Sequence, residues 1–152
     1  MIRKPQRTVF TILFLMILSS RILTACSGNT TSSTGDKELS MAPMKDMPAE
    51  VKSAPTTVKQ AYQFAVVNPD ILKQILCYCG CGAMGHTSNY SCYVSSVSTE
   101  GKVNFDNHAL GCSICVDITQ DTMRYMRQGK QVSEIKAIID QTYSQYGPSN
   151  IP

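Results

Sequence analysis

Tryptophan is absent, and aromatic residues make up only 7% of the 152 residues. Charged residues are sparse at 16%. A chain this short with so few large side chains holds one modest domain and excludes an enzyme with several layers of core. No apolar run approaches the roughly 20 residues of a comfortable membrane span. Val9–Leu18 (VFTILFLMIL) is the strongest run and is too short. Paired carboxylates, a glycine-rich phosphate loop and a nucleophile elbow are all missing, so nothing argues for hydrolysis or group transfer. The reading is therefore of a protein that is not an enzyme.

A surplus of basic residues is lacking too, despite a formal charge of +3. Arg3, Lys4, Arg7 and Arg21 put +4 on residues 1–25, which contain no acid, so the remainder carries −1. Nucleic-acid binding needs clustered Lys and Arg outside such a leader. No nucleic acid is expected as a partner.

What the chain does have is cysteine. There are seven, and six of them lie between Cys77 and Cys115. The seventh, Cys26, follows a basic start and the short apolar run, in the order Leu23-Thr24-Ala25-Cys26. That order resembles the bacterial lipobox, with 1–25 as a lipoprotein signal peptide and Cys26 as the lipidation site. An uncleaved anchor with a chance cysteine is the competing reading. Several acyl chains on one residue anchor stably where one chain is marginal. The expected location is the outer face of the bacterial cytoplasmic membrane.

Residues 26–55 are rich in Ser, Thr, Gly and Pro and read as a flexible tether, because such a segment buries too little to offset its ordering entropy. Met41, Met44 and Met47 punctuate it. Thioether sulfur favours Cu(I), which makes them secondary soft-metal candidates, against chance spacing as the plainer account.

Residues 56–148 read as the folded, Cys-rich helical domain. Val58, Ala61, Tyr62 and Ala65 follow helical spacing. Asn68-Pro69 begins a second helix, whose apolar face of Ile71, Leu72, Ile75 and Leu76 ends at Cys77. Residues 77–92 form a Gly-rich loop without periodicity. Tyr93–Val97 suits a short strand, with a turn at Glu100-Gly101. A third helix begins around Gly111, with Ile114, Ile118, Tyr125 and Met126 facing inward and Gly129 as its stop. The last helix has Ser133 as N-cap, Val132 stapled onto Ala137, and Ile135, Ile138 and Ile139 buried. The expected fold class is mainly α, a small bundle of about four helices around a central Cys/Gly-rich metal-binding loop.

The candidate ligands are Cys77, Cys79, Cys81, His86, Cys92, His108, Cys112 and Cys115: six thiols and both histidines of the chain. His108, Cys112 and Cys115 share one face if the segment is helical, and a helix start favours thiolate. Eight donors fill two four-coordinate sites, or one cluster with bridging sulfurs. Such ligation selects Cu(I), Zn(II) or iron–sulfur, the last being poorly suited to an oxygenated compartment. Three disulfides are the second reading, permitted by that compartment. A redox dithiol at Cys112-Ser113-Ile114-Cys115 is the third, without the βαβ context that motif needs. Val116 stands where c-type haem attachment requires His.

With Cys77-Tyr78-Cys79-Gly80-Cys81-Gly82, Met84-Gly85-His86, Phe105-Asp106-x-His108 and Cys112-x2-Cys115, the stretch from Ala61 to Tyr146 resembles the bacterial PCYCGC-motif lipoproteins. Leu76 stands where the motif has Pro, a change at a helix end rather than at a ligand. The resemblance implies a lipoprotein leader and these ligand positions, and implies no reaction.

The functional expectation is a lipid-anchored extracytoplasmic protein. It would bind Cu(I), or next Zn(II), for buffering or for delivery to a membrane metalloprotein or metal transporter. The alternative is a small envelope interaction domain whose zinc or disulfides only staple the fold.

Overall fold

The computed structural model describes residues 37–150; the leader and Cys26 lie outside the described residues. Among the described residues there are six α-helical segments and one two-stranded sheet. They are α1 (Ala49–Ser53), α2 (Thr56–Val67), α3 (Pro69–Leu72), β1 (Val94–Val97), β2 (Val103–Phe105), α4 (His108–Gly111), α5 (Ser113–Arg127) and α6 (Val132–Tyr143). The chain is mainly helical, but only α2, α5 and α6 are long. A four-helix bundle is not what they build. No helix among the described residues is long and apolar enough to cross a membrane.

The spacing of Val58, Ala61, Tyr62 and Ala65 does produce a helix, and its buried face also takes in Phe64. Asn68 is both the C-cap of α2 and the N-cap residue of α3, but its side chain serves α2: the amide donates to Phe64 O (2.8 Å) and Ser40 O (2.9 Å) and makes no capping bond to α3. Pro69 then opens α3 at the position where its missing N–H costs nothing. The expected continuation of α3 to Cys77 fails. The helix stops at Leu72, although Ile75 and Leu76 remain buried. Distant partners have replaced the helical bonds. Asn89 N–H donates to Ile75 O (2.9 Å), and Asn150 takes both backbone groups of Cys77.

Of the segment Tyr93–Val97, Val94–Val97 is extended while Tyr93 ends a helical turn (φ −118°, ψ −33°), and β1 pairs antiparallel with β2, with a register irregularity between Val94 and Ser96. Tyr93 and Asp106 lie side by side at the open end of the ladder, joined by Asp106 N–H to Tyr93 O (2.9 Å). The Tyr62 ring meets that of Tyr93 edge-on at 5.0 Å, and the Tyr62 hydroxyl donates to Asp106 O (2.7 Å). Helix α2 thus holds the hairpin on which the later ligands hang.

Helix α5 buries Cys115, Val116, Ile118, Thr119, Thr122 and Met123. Of the inward candidates, Ile118 is fully buried, while Ile114, Tyr125 and Met126 pack at the core's edge. Gly129 follows the helix as a stop, its N–H donating to Met126 O (2.9 Å). Helix α6 begins two residues earlier than Ser133 as N-cap predicts, with Gln131 in the N-cap position. Gln131 and Glu134 form a reciprocal capping box there, and Ile135 and Ile139 face the core with Ile138 half-buried.

The folded unit also begins earlier than Thr56. Met47 and Val51 are buried, and Ala42 N–H donates to Gln63 O (2.9 Å). The part of the expected tether from residue 38 onward is therefore an arm packed on α2. Its composition is polar, but a few apolar side chains find a ready-made surface. Ile118 sits fully buried where α5 packs, so Ile118→Ala should lower unfolding free energy by about 2–5 kcal/mol. Val97→Ala, at an exposed position, should change it by no more than about 0.5 kcal/mol. Chemical denaturation followed by circular dichroism reads both.

Candidate metal centre

The two Cys-bearing stretches converge. Cys77 Sγ lies 3.4 Å from Cys79 Sγ and 3.5 Å from Cys115 Sγ. Cys79 Sγ lies 3.4 Å from Cys115 Sγ and 3.4 Å from His108 Nε2. Cys115 meets Cys112 at 3.3 Å, and Cys92 meets Cys81 at 3.7 Å and Cys77 at 4.0 Å. All six are free thiols, so the three-disulfide reading is not the arrangement seen. Two thiolates on one tetrahedral ion with bonds of about 2.3 Å stand about 3.8 Å apart. The sulfurs are spaced as ligands that share ions.

All eight sequence-derived ligands fall into four overlapping groups whose donor atoms lie within 4.8 Å of one another. Cys79, His108, Cys112 and Cys115 form one, and Cys81, His86, Cys92 and His108 another. Cys77 joins two all-sulfur groups, with Cys79 and Cys81 and with Cys92 and Cys115.

Local structure explains the convergence. Gly80 (φ +79°) and Gly85 (φ +85°) flank the 3-10 turn Cys81–Met84. These left-handed conformations fold the C-x-C-x-C stretch back on itself, and a Cβ would strain them. His108, Cys112 and Cys115 do not share one helix face. Helix α4 ends at Gly111, and Cys112 is extended (φ −117°, ψ 100°) as the N-cap of α5. That break, rather than a helical repeat, gathers the three donors. Cys115 sits in the first turn of α5, where backbone N–H groups favour a thiolate.

Polar residues that the spacing did not single out lock the loops in place. Asn89, fully buried, donates to Cys115 O (3.2 Å) and accepts from the Thr119 hydroxyl (2.6 Å). The Tyr93 hydroxyl donates to Cys115 O (2.8 Å). Asn150 accepts from Cys77 N–H (2.8 Å), donates its own N–H to Cys77 O (3.0 Å), and points its amide at Cys81 Sγ (3.4 Å). Asp106 Oδ1 accepts from His108 N–H (2.8 Å), while its Oδ2 faces His86 Nε2 at 3.4 Å. His86 Nδ1 is then left buried with no hydrogen-bond partner. An unpaired buried polar atom costs about 1–3 kcal/mol. A carboxylate behind one imidazole nitrogen with the other nitrogen free is the usual posture of a metal-ligating histidine.

Cys77, Cys79, Cys81, Cys92 and Cys115 influence one another's protonation. Hydrogen bonds from Cys115 and Cys92 hold Cys77 down at about 2, making it the resident thiolate. Its contact with Cys77, then that with Cys92, pushes Cys115 up. Burial, then the Cys77 charge, raises Cys79 and Cys81. For Cys92 the bond with Cys115 lowers the value, but the Cys77 contact and burial outweigh it and the net shift is upward.

The methionines stand apart from this picture. Met47 is buried, and Met41 and Met44 pack against the core, so the run is part of the arm rather than a pendant collector. Cys26 lies outside the described residues. Asn150→Ala removes the contacts that seat the Cys77 backbone and Cys81. The variant should lose about 1–3 kcal/mol of stability, and iodoacetamide should alkylate Cys81 faster than in the parent chain, read by mass spectrometry.

Neither a curated protein nor a solved structure matches the chain. A family described as protein of unknown function with PCYCGC motif matches residues 14–152, which takes in every described residue and the whole thiol–imidazole cluster. The chain belongs to the PCYCGC-motif family.

Proposed function

We propose that this protein binds soft metal ions in the Cys/His cluster and holds them for buffering or delivery, with Cu(I) the favoured ion and Zn(II) next. The observation that carries the reading is eight soft donors gathered in one pocket, with a buried His86 Nδ1 that has no other partner. The overlapping three-sulfur groups around Cys77 suit Cu(I), which accepts low coordination numbers and thiolate bridges. The two four-donor groups suit Zn(II), and they are what favours the second ion.

The same reading places the domain outside the cytoplasmic membrane, tethered through a lipid on Cys26, where it would meet a membrane metalloprotein or metal transporter. Support comes from the leader and the Leu23-Thr24-Ala25-Cys26 sequence. A labelled fatty acid should enter the parent chain in bacterial cells and fail to enter Cys26→Ser; equal labelling would remove the anchor from the proposal.

A second reading, a structural staple in a small interaction domain, is favoured by the full burial of Cys77, Cys92 and Cys115 within the core. Cys79 is only half-buried, so Cys79→Ser separates the two. Loss of ion transfer with helicity kept supports a cargo site, whereas unfolding supports a staple.

Ions must displace protons from Cys79, Cys81, Cys92 and Cys115, whose thiol forms are stabilised. Protons therefore compete with the metal, and apparent affinity should climb as pH rises from about 6 to about 8. Reduced protein titrated with Cu(I) or Zn(II) against a chelator should take up more than about one equivalent, as expected for eight donors with about four per ion. Uptake below that level, or an affinity indifferent to pH, would count against the cluster as a metal site.

A further inference from the structure

The eight donors are not equally accessible. Cys77, Cys81, His86, Cys92 and Cys115 are buried, while Cys79, His108 and Cys112 are half-buried. These three outer donors belong to a single four-donor group, completed by Cys115. Cys81, His86 and Cys92 are all buried; His108 is within reach of them as well as of the outer group, and Cys77 contacts Cys92 beside them. Asp106 and Asn150 back this inner set.

The outer group also has an approach. A cleft of about 290 Å³ lies between the start of α2 and the α4–α5 junction, with Pro55, Val58, Leu110, Cys112, Val116 and Asp117 among its lining. Cys112 is the one cluster donor in that wall. It is the extended N-cap of α5 and makes no side-chain cap bond, so its sulfur is not committed to the helix.

Resting on the metal-binding reading, we propose that the cluster has two unlike positions. Cys79, His108, Cys112 and Cys115 make an outer, exchangeable one, and Cys81, His86 and Cys92 with Cys77 make an inner, retained one. Ions leave through Cys112 to a thiol-bearing acceptor that enters the cleft. In the first exchange the acceptor sulfur forms a bond to the ion as the bond from the ion to Cys112 Sγ breaks. The proton lost by the incoming thiol goes to the departing Cys112 thiolate. Further acceptor thiols then displace Cys79 and Cys115 in the same way, each departing thiolate taking the incoming thiol's proton, and His108 leaves as neutral imidazole. No electron is transferred and the ion keeps its oxidation state.

The division makes physical sense of the burial. An associative exchange needs space for a fifth donor beside the ion, and the cleft at Cys112 gives the outer group that space. Reaching the inner ligands would require moving the Cys77–Cys81 turn away from Asn150.

The test uses the reduced full chain loaded with Zn(II) and mixed with glutathione plus a chromogenic chelator. Release should show two phases about tenfold or more apart in rate, and glutathione should accelerate only the faster. Cys112→Ser is a suitable variant because Ser is a strong N-cap, so α5 should persist. It should remove or further hasten the fast phase by about tenfold and leave the slow phase unchanged. Cys81→Ser should act on the slow phase instead. Bound Zn(II) leaving in one phase, or Cys112→Ser altering both phases equally, overturns the two-position proposal and spares the metal-binding reading. A chain that takes up no Zn(II) or Cu(I) overturns both.

Discussion

Six sulfurs packed at contact distance form one electrostatic unit, and the remainder of the structure arranges itself around that fact. Thiolates cannot be crowded in a buried pocket without positive charge among them, because burial and mutual repulsion both favour the protonated form. The contacts accordingly favour the charged form at Cys77 and the thiol form at Cys115. Soft cations would answer differently, by turning all of them into ligands. On the proposed metal-binding reading, the same pocket would tie protonation, ion content and order of the surrounding loops to one another.

Ordinary core packing supplies the frame. Tyr62, Phe64, Ile118, Ile135 and Ile139 bury the faces of α2, α5 and α6 without any metal. Between frame and cluster sits a layer of neutral polar contacts: Asn89, Thr119, Tyr93 and Asn150 hold backbone carbonyls and amides of the ligand loops. Such a layer orients ligands without adding charge. Asp106 is the exception, with its carboxylate spanning His86 and the His108 backbone. It brings the two histidine-bearing segments together, and the imidazole rings lie 5.2 Å apart, edge to face.

The legibility of the sequence varied with the range of the cause. Helix α2 and the core face of α6 could be read from apolar spacing, because a local period sets which side chains share a face. The eight donors could be read because Cys and His are rare and chemically distinct. Where the chain's local preference met a distant partner, the reading missed. Ile75 and Leu76 look like a helix face, but Asn89 and Asn150 took the backbone bonds. Residues 38–54 look like spacer, yet Met47 and Val51 found a surface made by residues far along the chain. Asn150 carries no signal of its own, since an Asn near a terminus is usually a solvated residue.

Sequence alone determined the kinds of atoms available: soft, deprotonable sulfur and imidazole in two stretches, with glycines that permit a tight reversal between them. It also determined the principal helices, whose cause is local periodicity. Tertiary structure decided which donors face one another, that Cys112 breaks the helix rather than riding it, and that His86 is left with a buried nitrogen and no partner. Those outcomes depend on contacts between residues up to 73 positions apart, as between Cys77 and Asn150. No pattern within a short window encodes the closure of such a loop, because its entropy cost is met by packing throughout the domain.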